Sequence, residues 1–86
     1  MPEISRFFGM VIAMYYNDHA PPHFHALYGE QEVLIDIETL RVVEGGLSRR
    51  ALELVLDWAE LHREELRANW LRARAHETLL DIAPLE

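Results

Sequence analysis

The sequence predicts an α+β fold: a small antiparallel β-meander of three to four strands, then one long or two consecutive α-helices packed on one face, and an extended C-terminal tail. Three observations carry this reading. Residues 23–37 alternate apolar and polar side chains around Gly29-Glu30, the pattern of a hairpin. Residues 49–75 contain neither Gly nor Pro and repeat apolar side chains at helical spacing. The chain has 86 residues, which suits one domain over 1–86 and leaves no room for a second core.

Taken in order, residues 7–16 are apolar on both alternating faces, which predicts a central strand buried on both sides. Asn17 and Asp18 signal a turn, and Pro21-Pro22 keep the chain extended after it, so 17–22 is a stiff loop. Residues 23–28 and 32–37 are predicted strands, joined at Gly29-Glu30 by a type II′ turn, which places Gly first. That register sets Tyr28 opposite Gln31, Ala26 opposite Val33, His25 opposite Leu34, Phe24 opposite Ile35 and His23 opposite Asp36. Phe24, Ala26, Tyr28, Val33, Ile35 and Ile37 then face the core, and His23, His25, Leu27, Glu32, Leu34 and Asp36 face away from it. A four-residue turn keeps these faces but sets His25 opposite Asp36.

Residues 40–44 read as a short fourth strand closed by Gly45-Gly46. Ser48 is the N-cap of a helix running from 49 to about 75. Leu52, Val55, Leu56, Ala59, Leu66, Trp70 and Ala73 form its apolar stripe, widened by Leu54, Trp58 and Leu61. As one rod it would be ~40 Å long, longer than the body of so small a domain. It must therefore break, protrude or pack on another chain. The tail, residues 79–86, is an edge strand or a docking arm.

Half of the residues are hydrophobic, enough for a core. A domain of this size buries only ~60% of its unfolded surface, so a homodimer or a partner would add stability. With no cysteine, disulfides and thiolate ligands are excluded, and any metal falls to His, Asp or Glu. There is no basic leader followed by an apolar run, and no apolar stretch reaches the ~18 residues of a span. A cytoplasmic protein with no membrane association is expected. The net charge of -7 argues against a general phosphate-binding surface, so RNA is admissible as a partner but disfavoured. Acid concentrates on the strands, where Glu30, Glu32, Asp36, Glu38 and Glu44 face Arg41 alone. Base concentrates on the helix. All 8 basic side chains are arginine, which planar recognition of carboxylate or phosphate would explain, as would a genome rich in G and C.

The segment Asp18-His19-Ala20-Pro21-Pro22-His23-Phe24-His25 gathers an acid and three histidines around a proline pair. It admits three readings. In the first, His19, His23 and His25, helped by Asp18 and Asp36, form an acid-base site. RNA would supply its own 2′-hydroxyl as nucleophile. In the second, no cofactor being expected from any other motif, zinc or another divalent metal is held by His19, His23, His25 and Asp36. In the third, the histidines hydrogen-bond backbone or carboxylate groups and staple the loop to the sheet. Burial separates them: histidines exposed around a concavity favour chemistry, and buried, fully hydrogen-bonded ones favour a structural role. Elsewhere, His62 and His76 read as surface residues, and Tyr15, Tyr16 and Tyr28 as a core rim. Trp58 and Trp70 read as core or interface anchors, and Arg49-Arg50 as partners of glutamates along the helix.

The strings Pro2-Glu3-Ile4-Ser5-Arg6-Phe7 and Tyr16-Asn17-Asp18-His19-Ala20-Pro21-Pro22-His23-Phe24-His25-Ala26-Leu27-Tyr28-Gly29 resemble the bacterial family called domain of unknown function 4160. So do Ile35-Asp36-Ile37, Gly46, Arg50-Ala51-Leu52, Trp58-Ala59, His62-Arg63, Asn69-Trp70 and Pro84-Leu85. The resemblance covers nearly the whole chain. It implies a short bacterial protein often encoded beside a second small family, domain of unknown function 2442, in a type II toxin–antitoxin arrangement. The expectation that follows is a toxin-like component with a histidine acid-base site acting on RNA or nucleotides and a co-encoded protein partner. The alternatives are a non-catalytic module that binds that partner, and a His/Asp metal-binding domain.

Overall fold

The computed structural model describes residues 2–86. Five strands form one antiparallel sheet in chain order: β1 (Glu3–Phe7), β2 (Met10–Ala13), β3 (His23–Tyr28), β4 (Gln31–Asp36) and β5 (Val42–Gly45). Two helices follow, α1 (Arg49–Leu61) and α2 (Arg63–Arg74). The β3–β4 register is the one expected from a two-residue turn, from Tyr28 opposite Gln31 to His23 opposite Asp36. Gly29 has φ +60°, a left-handed conformation that glycine adopts without steric cost.

The single strand expected over 7–16 is instead the end of one strand, a turn and a second strand that stops at Ala13. β1 ends at Phe7, which pairs directly with Met10 at the start of β2. Phe8 and Gly9 between them have φ of 48° and 79°, as a two-residue I′ turn requires. A bulky side chain at positive φ is rare, so Phe8 concealed the turn. The middle of the sheet is accordingly β3, flanked by β1–β2 on one side and β4–β5 on the other.

One face of the sheet, carrying Met10, Ile12, Phe24, Ala26, Val33, Ile35 and Ile37, packs against the helices. Ala51, Val55, Trp58 and Ala59 of α1 meet it, and α2 adds Leu66, Asn69, Trp70 and Ala73. Ser48 caps α1 through Oγ, which accepts from the Ala51 N–H at 3.4 Å. Of the expected outcomes for 49–75, the break is realised, at His62, where φ is -118° and ψ 23°. The His62 N–H is shared between the carbonyls of Trp58 (3.1 Å) and Ala59 (3.2 Å). The break folds a ~40 Å rod into a body whose longest dimension is 33 Å. It also corrects one residue of the expected stripe: Leu61, the last residue of α1, is 72% exposed.

The tail is an arm on its own chain and contains no regular element. The Ile82 N–H donates to the Ile4 carbonyl at 2.8 Å, covering the outer edge of β1, and the Ile82 side chain is buried. The Asn69 amide clamps Leu80 by both backbone groups (2.8 and 2.9 Å), and the Trp58 indole N–H donates to the Ala83 carbonyl at 2.8 Å. No helix among the described residues is long and apolar enough to cross a membrane.

Arg67 of α2 joins the helices to the β4–β5 connection by donating to both carboxylate oxygens of Glu38. That hydrogen bond holds the Glu38 carboxyl below its ordinary 4.5, outweighing the opposing effect of desolvation. A carboxyl with a lowered folded-state pKa stabilises the fold above its unfolded value, and the contribution is lost as pH falls through the folded value. Glu38→Gln should therefore lower the urea midpoint at neutral pH. The difference from wild type should shrink well below pH 4.5 and at high salt, because the pair is solvent-exposed and screened.

Candidate functional site

β3 begins at His23, and His23 and His25, two residues apart on one strand, project from the same face. The loop before them is tied to the sheet where the Ile37 N–H donates to the Pro22 carbonyl at 3.0 Å. Its first half carries Asp18 over the two rings. Asp18 Oδ2 lies 2.8 Å from His25 Nε2 and 2.9 Å from His23 Nε2. The two contacts differ in kind. His25 Nε2 makes a directed hydrogen bond, whereas His23 Nε2 is close but off-line, and it counts as a buried polar atom without a hydrogen-bond partner. His23 is 1% exposed and His25 8%. Trp70 of α2 packs against the first ring (centroids 5.4 Å apart) and Tyr15 edge-on against the second (4.5 Å).

The opposite nitrogen of each ring determines which tautomer is present. His23 Nδ1 is 2.7 Å from the Pro21 carbonyl, which has no proton to give, so the ring donates there. His25 Nδ1 is 2.8 Å from Glu32 Oε2 and donates likewise. In the neutral ring each Nε2 is then a lone pair, and both lone pairs face one oxygen of Asp18. Two lone pairs and a carboxylate repel unless positive charge lies between them. A proton on His25 Nε2 accounts for its directed hydrogen bond; His23 Nε2 is left beside the same oxygen without one, and a proton or a cation at the point of convergence would satisfy it.

Desolvation on its own would raise the Asp18 carboxyl. The hydrogen bond from His25, with the two imidazoles beside it, outweighs it and holds the group below its ordinary 3.8. Tyr15 reports the same field from the other side: burial first, then the charges of Glu32 and Asp18, push its hydroxyl above the ordinary 10.0. Outside the cluster lies an open concavity of about 470 Å³, lined by Asp18, His19, His25, Glu32, Leu34, Glu44 and Gly45. Three carboxylates and no arginine line it. Three of the six helix arginines are paired with glutamates, Arg49 and Arg50 with Glu53, and Arg67 with Glu38 and Glu64, and Arg74 donates to the backbone carbonyl of Asp18 at 3.2 Å. A phosphodiester approaching this mouth meets charge of its own sign.

The structure brings together three of the residues singled out from the sequence, Asp18, His23 and His25, whose ligand atoms all lie within 4.8 Å of one another. His19 stands beside them, exposed on the concavity, with its ring centroid 5.7 Å from that of His23. Asp36 is a correction. Although its Cα pairs with that of His23, its carboxylate accepts the N–H groups of Glu38 (2.7 Å) and Thr39 (2.9 Å) and closes the β4–β5 turn. An aspartate at a strand end satisfies the following backbone more readily than a neighbour across the sheet. Its place beside the histidines is taken by Glu32, diagonal to His25, and by the Pro21 carbonyl. The shared face signalled the first; nothing in the sequence signals the second.

Fold and site together define a small α+β domain with a two-histidine, one-carboxylate cluster at the head of its central strand. The chain belongs to the family described as Domain of unknown function (DUF4160), whose family model matches residues 9–71. No curated protein and no solved structure matches the chain.

Proposed function

We propose that this chain is a divalent-metal-binding domain whose ligands are Asp18 Oδ2, His23 Nε2 and His25 Nε2. The observation that carries the reading is His23 Nε2, a buried nitrogen with no directed hydrogen bond, 2.9 Å from the oxygen on which a second imidazole already converges. A single divalent cation would supply at one point the positive charge that His23 Nε2 otherwise lacks. The Nδ1–H to oxygen contact on the far side of each ring is the support that metal-bound histidines use to fix tautomer and raise ligand basicity. Two imidazoles and a carboxylate, with no thiolate, suit zinc and other first-row divalent ions better than Cu(I), calcium or magnesium. Bonds of ~2.0–2.2 Å to such an ion require the present contacts to open by roughly half an ångström. Asp18, on a loop and partly exposed, has that freedom. The acidic lining of the mouth favours entry of a cation and disfavours the RNA-cleaving reading.

Titration of chelator-treated protein with Zn²⁺ should give one equivalent bound. Saturation to ~100 times the dissociation constant should add ~2.7 kcal/mol, raising the melting temperature by roughly 10–20 °C in a domain of this size. His23→Ala removes a buried ring and endangers the fold, so Asp18→Ala, on the loop, is the cleaner variant and should abolish the shift. If Zn²⁺, Co²⁺, Ni²⁺, Mn²⁺ and Fe²⁺ all leave the melting temperature of folded wild-type protein unchanged, the reading is wrong.

A further inference from the structure

We infer that His19 is the fourth ligand of the loaded site, so that the metal is enclosed by protein and offers no position to a substrate; this rests on the metal reading above. His19 lies in the same loop as Asp18 and lines the same concavity as His25. Its Nδ1 is 3.0 Å from the Ala20 carbonyl, so this ring also donates from Nδ1 and presents Nε2 as a lone pair. All three histidines of the segment are thus held in one tautomer, each by an oxygen at Nδ1: a carbonyl for His19 and His23, a carboxylate for His25.

What distinguishes His19 is freedom. His23 is packed against Trp70 and His25 against Tyr15, whereas the His19 ring is exposed and contacts no carboxylate among the described residues. Its centroid is 5.7 Å from that of His23, and its nitrogens lie outside the group formed by Asp18, His23 and His25; the ring must give up its contact to the Ala20 carbonyl and turn, with the loop moving, to bring Nε2 to the point of convergence. Positive charge arriving there would draw in this lone pair, and the small shift required of Asp18 moves the adjacent residue with it. Three nitrogens and one oxygen complete four-coordination, which for zinc marks structural sites; catalytic sites keep one position for water. The acidic mouth then serves metal capture, and the domain's stability and surface report whether metal is present.

The test uses Co²⁺, whose visible absorption reports coordination number. Wild-type protein should bind one Co²⁺ with the intense absorption of a four-coordinate site, unchanged by added imidazole. His19→Ala, a surface change that spares the fold, should bind Co²⁺ at least about tenfold more weakly, since even groups that merely support a ligand are worth 10–100-fold. Its spectrum should shift, and added imidazole should restore the wild-type form by filling the vacated position. Equal affinity and an identical spectrum in His19→Ala would overturn the fourth-ligand assignment and leave the three-ligand site standing. Failure of wild-type protein to bind Co²⁺ or Zn²⁺ would overturn both.

Discussion

Trp58→Ala is expected to remove about a third or more of the domain's stability. The side chain is 0% exposed, and its ring centroid lies 5.4 Å from that of Phe7, 5.9 Å from Phe24 and 5.5 Å from His62. Emptying such a site costs ~3–5 kcal/mol, and the lost indole hydrogen bond to Ala83 adds ~1 kcal/mol. At ~0.05–0.15 kcal/mol per residue, the whole domain has roughly 4–13 kcal/mol to lose. The urea midpoint should fall by about a third or more, with a weakened near-ultraviolet circular dichroism signal. Trp58→Phe keeps most of the packing and removes only the donor, so it should remain folded and free the tail to proteolysis. A Trp58→Ala protein that melts like wild type would mean that the helix, the β1–β2 hairpin and the tail do not share one core.

The second large effect is expected at Gly45→Ala. Gly45 has φ +73°, and a Cβ added there would stand 2.2 Å from the backbone oxygen of Glu32. A left-handed alanine costs ~1–2 kcal/mol, and an overlap with backbone forces a shift costing a further ~1–3 kcal/mol. The strand that must move carries Glu32, the acceptor of His25 Nδ1. Under the metal-binding proposal, Zn²⁺ affinity should therefore fall along with stability, by about 10–100-fold for loss of a supporting partner. Gly46→Ala is the control. Nothing lies within 4 Å of its added Cβ, so its urea midpoint and metal affinity should stay close to wild type. Equal behaviour of the two variants would show that the close approach of β5 to β4 is not what positions Glu32.

The β3–β4 hairpin was legible because two local signals agree: an alternation that assigns the faces, and a glycine where the two-residue turn needs positive φ; Tyr28, expected toward the core, is instead 42% exposed at the hairpin's end. Ser48 was legible for a similar reason, since a hydroxyl before a Gly- and Pro-free run has one obvious use. The β1–β2 turn was hidden because Phe8 adopts a conformation that its own side chain disfavours, and the break at His62 because no residue there breaks helices intrinsically. Both are imposed by packing: Phe7 and Trp58 meet across the core, and the break lets Leu66 and Trp70 reach it. In the site, Asp36 was misplaced because a cross-strand Cα pairing says nothing about where a carboxylate turns when backbone N–H groups are nearer.

By itself, then, the sequence determined that there would be a hairpin with His23 and His25 on one side of it, a stiff loop before it carrying Asp18 and His19, and a helical segment that had to break, protrude or pack on another chain. These follow from backbone periodicity and turn chemistry, which act between near neighbours. Only the tertiary structure decided that Asp18 rather than Asp36 meets the histidines, that Glu32 and the Pro21 carbonyl orient their Nδ1 protons, and that both Nε2 atoms converge on one oxygen. Those outcomes depend on which polar atoms are left facing one another once the chain has closed, and competition for hydrogen bonds at that point is not a local property of the sequence.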